Sequence, residues 1–174
     1  MTDSLMLHRI AALSGVIGLA IGSISLSASL EQTTRYGEEL VVYALVDRSD
    51  GTYRRMLTSP EALELAKSCD PLPDGTRILM ETFHAPGELS TVFHKQKVAG
   101  RWQYGSFNGL GEVDLSTRPQ ASCLSCHASA AETDFTFTRH ALDAARSNGL
   151  SKSFCDRGGR KPCAASAYRI EAAH

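Results

Sequence analysis

Two cysteines and a histidine stand within five residues of this chain, in the stretch CLSCH, Cys123 to His127. The i, i+3 spacing sets the thiols about one helical turn apart, and the imidazole follows at once. A covalently held haem needs that arrangement: two thioethers to the porphyrin vinyl groups, then an imidazole for the iron. Three other chemistries use similar residues. A structural zinc site takes four ligands, usually from two such pairs. The chain has no second CxxC and no HxxxH, and seven residues separate Cys155 from Cys163. A thioredoxin-type redox pair follows a strand in a βαβ unit, whereas the loop-like NGLGEVDLSTRPQAS precedes Cys123. A plain Cys123–Cys126 disulfide leaves His127 without a role. In a chain of 174 residues the motif arises by chance on the order of once in a thousand. One covalent haem c is therefore the expected cofactor, with His127 as axial metal ligand.

The cysteine content suits an exported protein: Cys69, Cys123, Cys126, Cys155 and Cys163 fit an oxidising compartment that permits both disulfides and haem attachment. The N-terminus agrees. MTDSLMLHR is short and ends at Arg9, IAALSGVIGLAIGSISLSAS is small, apolar and uncharged, and Glu31 and Gln32 break the run. This is the order of a secretory signal. Residues 1–28 are expected to be a signal peptide, cut after Ser27, Ala28 or Ser29, with 29–174 a single domain. An uncleaved anchor is the alternative, but its Gly, Ser and Ala content makes a weak span against the ~20 strongly apolar residues preferred. The mature protein is expected to be soluble and periplasmic. A net charge of −1 with 21% charged residues implies no nucleic acid and no acidic lipid as partner.

The elements that must position the motif are legible in outline. YGEELVVYALVDR reads as helix or strand, since Leu40, Val41 and Val42 are β-prone. TYRRML, RILMETFHA, LSTVFHKQKV and RWQYGSF read as strands, with turns at Asp50-Gly51, Asp74-Gly75 and Ala99-Gly100. SPEALELAK opens with Ser59 as N-cap and Pro60 at the first helical position. CLSCHASAA is helix-compatible, and TRHALDAARSNG is a helix with Gly149 past its end. The sum is α+β: a mostly antiparallel β-sheet with flanking helices. CDRGGRKPC reads as a loop closed by a Cys155–Cys163 disulfide, with Cys69 either a free thiol or a partner of one of these two.

Three blocks, SPEALELAKSCDPLPDGTRILMETF, GRWQYGSF and CLSCHASAAETDFTFTR, resemble the cytochrome P-460 family, with its close relative cytochrome c′-beta. PDGT before a strand, GxW, and DFTFTR after CxxCH occur there in that order, and the resemblance spans roughly residues 36 to 148. It implies an antiparallel sheet with helices holding one c-haem, a homodimer, His127 as proximal ligand and an open sixth iron site. It also implies either hydroxylamine oxidation or the binding of nitric oxide without that turnover, with a redox partner protein. Enzymatic members carry a haem-linked lysine on the strand after DGT. Here that position is Met80, whose thioether supplies no amine, and this puts the cross-link in doubt.

On an alternating strand Ile78, Met80 and Thr82 share one face, and Arg77, Leu79, Glu81 and Phe83 the other. Met80 is read as lining the distal pocket, with iron ligation or core filling as alternatives. Glu81 and Glu88 are the carboxylates nearest in sequence for a catalytic base, with solvated side chains as the default. His84 and His94 are read as surface or hydrogen-bonded residues, with the distal side as the alternative. Lys95 and Lys97 are read as solvated, and Phe83, Phe93, Trp102 and Phe107 as core or haem-packing side chains. The expected activity is binding or conversion of small nitrogen oxides, nitric oxide first, with electron exchange. The alternatives are a hydroxylamine-oxidising enzyme and a six-coordinate His/Met electron carrier.

Overall fold

The computed structural model describes residues 30–66, 71–159, 161 and 163–168. The expected signal peptide and Cys69 lie outside the described residues. β2 (Leu40–Arg48) has nearly every side chain buried, because it is covered on both faces. That is why its sequence lacks the alternation that would have separated strand from helix. It pairs antiparallel with β1 (Gln32–Thr33) and with β3 (Tyr53–Thr58). From β3 the sheet runs as an antiparallel meander through β4 (Arg77–Phe83), β5 (Leu89–Val98) and β6 (Arg101–Asn108). The β5–β6 turn is Ala99-Gly100 with both φ angles positive, 50° and 73°. That geometry matches the twist of a two-residue hairpin.

The region after residue 108 holds an element the sequence did not announce. β7 (Ser151–Cys155) pairs parallel with β2, register Ala44 to Ser151 and Arg48 to Cys155. Its five residues, SKSFC, are too few and too polar for a periodicity signal. The sheet is therefore mostly, not wholly, antiparallel. The rest is helical: α1 (Pro60–Ala66), α2 (Ala121–His127), a 3₁₀ turn over Ala128–Thr133, α3 (Arg139–Asn148) and a short 3₁₀ turn over Ala165–Tyr168. Ser59 Oγ accepts from the Ala62 amide at 3.2 Å, capping α1. The buried Arg139 of α3 donates to the Ala66 carbonyl at 2.8 Å, closing α1's other end.

Each sheet face buries its own apolar cluster. On one face, Val41, Val46, Met56, Ile78, Trp102 and Tyr104 pack against Leu63 and Ala66 of α1 and Leu142 and Ala145 of α3. On the other, Tyr36, Leu40, Val42, Leu57, Leu79, Phe83, Leu89 and Val92 form a second cluster, with Phe107 and Leu115 against it. The helices cover only part of the first face. The remainder is the floor of a cavity.

Candidate functional site

The cavity has a volume of about 660 Å³, within the range of small-ligand and cofactor sites. Its floor is the first sheet face: Met56, Ile78, Met80, Thr82, Phe93, Lys95 and Tyr104. Register explains the set, because Met56 pairs with Met80 and Met80 with Phe93, one row across three strands. Cys123, Cys126 and His127 of α2 form a wall, Thr136 to Thr138 another, and Gly159, Cys163 and Tyr168 a third. All three members of the motif thus meet one apolar cavity, with Met80 on its floor.

α2 is a helix that buries none of its seven residues. A helix this short is marginal without packing, so its inner side calls for an apolar partner. Cys123 and Cys126 are free thiols, and Cys126 is exposed. Among the described residues no group of three or more His, Cys, Asp or Glu is placed to hold a bare metal ion.

His127 is fixed from outside its own helix. Its Nδ1–H donates to the Phe135 carbonyl at 2.7 Å, leaving Nε2 with its lone pair free. Tyr104 and Phe137 flank the ring at centroid distances of 5.3 and 5.2 Å. Burial, reinforced by the nearby Lys95 charge, pushes its pKa down to about 4 despite that hydrogen bond. The imidazole is accordingly neutral near pH 7, the form that ligates a metal.

The carbonyl that holds His127 is itself placed by strain. Asp134 and Phe135 are consecutive residues at φ 52° and 55°, the left-handed region that non-glycine residues enter at a cost of about 1–3 kcal/mol each. Four contacts impose it. The Asp134 carboxylate accepts from Lys97 Nζ at 2.7 and 2.9 Å and from the Leu72 amide at 3.0 Å, and the Asp134 carbonyl accepts from Trp102 Nε1 at 2.8 Å. Lys95 Nζ then donates to the Phe135 carbonyl at 2.8 Å and to Thr136 Oγ1 at 2.6 Å, with its ammonium 3.9 Å from the Trp102 ring centroid. Burial holds the Lys95 pKa well below the usual lysine value.

Several expectations need correcting. Lys95 and Lys97 are not solvated: they are 5% and 4% exposed, on the cavity face of β5, where strand alternation with Phe93 sends them inward. Glu81 is not solvated either. It lies on the opposite face, 3% exposed, accepting from the Tyr36 hydroxyl at 2.5 Å and paired with Arg55 at 3.3 Å, so it is no base for the cavity. Glu88 sits exposed in the β4–β5 turn and does not line the cavity. His94 is not on the surface: it is 3% exposed, beside the Asp114 backbone, its ring 5.9 Å from Phe107 on the second face. His84 is exposed at the cavity rim. No Asp or Glu of the described residues lines the cavity.

The residues present fit a haem: two free thiols and an oriented neutral imidazole on one short helix, beside a largely apolar cavity. The alternation of β5 was the signal that could have found Lys95 and Lys97; their charge masked it. A family model described as Cytochrome P460 matches residues 33–138. No curated protein matches the chain.

Proposed function

This chain belongs to the cytochrome P460 family, and on that premise we propose that it is an exported c-type cytochrome that binds and handles small nitrogen oxides, nitric oxide above all. Membership carries a haem cofactor and chemistry on nitrogen compounds. The finer reading rests on one observation: His127 Nδ1–H donates to the Phe135 carbonyl at 2.7 Å, on the same short helix as two free thiols. In this reading Cys123 and Cys126 would hold the haem through thioethers to its vinyl groups, each thiol S–H adding across one double bond, and His127 Nε2 would bind the iron. When bound, the haem would supply a redox-active iron able to take a small ligand.

The chain's other residues set what that ligand can be. Met56, Ile78, Met80 and Phe93 offer apolar surface that favours neutral diatomics over charged species. The cavity wall has no carboxylate among the described residues, so no carboxylate base lines it to take the protons that hydroxylamine oxidation releases. Met80 in place of the family's cross-linking lysine argues the same way. Hydroxylamine oxidation remains a second reading on one specific observation: Lys95 brings a buried, easily neutralised amine to the cavity.

The test is the ferrous spectrum of the full chain matured in a host competent for cytochrome c assembly. A c-type pyridine haemochrome, haem retained through acid–acetone extraction, and a five-coordinate ferrous state that takes up nitric oxide are expected. Met80→Leu should leave that spectrum unchanged. A colourless protein overturns the proposal; a low-spin state lost in Met80→Leu makes Met80 a ligand and the protein an electron carrier; a red-shifted ferrous Soret band revives the oxidising enzyme. Periplasmic location, a homodimer and a redox partner protein belong to the same proposal, read by fractionation, sedimentation and reduction kinetics.

A further inference from the structure

We infer that the corner of the cavity around Arg54 is a seat for a planar oxyanion, a carboxylate or nitrite. Arg54 lies on the first sheet face, paired with Thr82. That partner is four residues along β4 from Ile78, or ~13 Å at the rise of a strand. Arg54 Nη1 donates to the Tyr168 hydroxyl at 3.3 Å. The hydroxyl accepts that bond and keeps its own proton for another acceptor. Beside it Arg48 is 4% exposed. Arg48 donates to the Lys161 carbonyl at 2.8 Å and to Cys163 Sγ at 3.6 Å, and its buried Nε has no partner. Both arginines, Tyr168, Gly159 and Cys163 line the cavity.

The charge balance of this corner calls for an anion. Guanidinium groups stay protonated in proteins, and burial, with the Arg48 charge added, pushes the Arg54 pKa down although Tyr168 and Asp50 act the other way. Neither makes an ion pair among the described residues. The nearest acid, Asp50, spends its carboxylate on the Thr52 hydroxyl and the Thr52 and Gly159 amides. Asp50 offsets part of the Arg54 charge, but Arg48 is a buried cation whose Nε lacks a partner, and burying a cation without close pairing is costly. A two-oxygen planar anion matches the guanidinium fork, with the Tyr168 proton as a further donor. Gly159, Cys163 and Tyr168 form the wall of the seat, beyond the family match at 33–138.

The anion has two sources, a propionate of the bound haem or a free oxyanion, and only the first rests on the haem reading. The test compares the matured full chain with Arg54→Gln and Arg54→Lys. If a propionate sits there, its bending modes in the resonance Raman spectrum shift in Arg54→Gln while nitrite affinity holds. If a free oxyanion does, the nitrite dissociation constant rises about tenfold or more in Arg54→Gln while the propionate modes hold. Arg54→Lys recovers part of either effect. Unchanged modes and unchanged nitrite affinity in a normally folded Arg54→Gln overturn the seat. Should the chain mature without haem, the haem reading fails separately. The seat is then judged by whether nitrite or acetate raises the melting temperature above that in equal chloride, and whether Arg54→Gln abolishes the rise; equal melting temperatures overturn it.

Discussion

The Phe135 carbonyl accepts two hydrogen bonds at once, from the His127 imidazole at 2.7 Å and the Lys95 ammonium at 2.8 Å. A carbonyl shared with a cation pulls less strongly on the imidazole proton, which would make Nε2 a weaker donor to any metal it bound. The pair that holds this segment in place, Lys97 with Asp134 at 2.7 Å, has both side chains almost fully buried. Lys97→Met strands the Asp134 carboxylate, and a loss of about 3 kcal/mol is expected; urea unfolding of variant and parent measures it, and Lys97→Arg should retain most of the stability. His94 makes a prediction of opposite character. Burial lowers its pKa below 6.5, so the unfolded chain takes up a proton that the fold resists. Stability is full above pH about 6.5 and is lost as pH falls toward the folded value. His94→Gln should flatten the decline of the urea midpoint between about pH 7 and 5 relative to the parent; parallel curves would refute the assignment.

At the scale of elements, the β4–β5–β6 meander positions the site. A two-residue period sends Met80, Phe93, Lys95 and Lys97 to the cavity face and Glu81 and His94 to the other. Gly105 on β6 lets the His94 ring lie against the backbone: a Cβ there would collide with the ring and with the Ser116 carbonyl. Gly105→Ala is expected to cost about 3 kcal/mol through overpacking, seen as a lower urea midpoint at unchanged m-value. The turns, the α1 cap and the four meander strands were legible because each is a local matter of turn chemistry, capping and period. β7 was not. It is five residues long, and its pairing partner lies about a hundred residues away in β2.

For the whole molecule, the C-terminal segment closes the cavity. β7 docks beside β2, Cys155 and Cys163 are joined, and Tyr168 meets Phe137 at a centroid distance of 5.6 Å. Through Phe137 that contact reaches His127. Breaking the disulfide with Cys155→Ser and Cys163→Ser together should lower stability by about 2.5 kcal/mol from loop entropy, and should loosen the wall that holds Arg48. The check is a drop in melting temperature matched by reductant in the parent and absent on adding reductant to the double variant. No helix of the described residues is long and apolar enough to cross a membrane.

The amino-acid string alone determined the haem-type motif, the α+β class and most strand positions, because spacing and periodicity are written residue by residue. It could not tell a solvated lysine from a buried one. Burial of Lys95, Lys97, Glu81 and His94 depends on which strands lie alongside and what covers each face. The carbonyl that orients His127 and the cationic corner at Arg54 likewise exist only once distant segments meet, since a hydrogen-bond partner or a missing counter-charge is a property of neighbours in space.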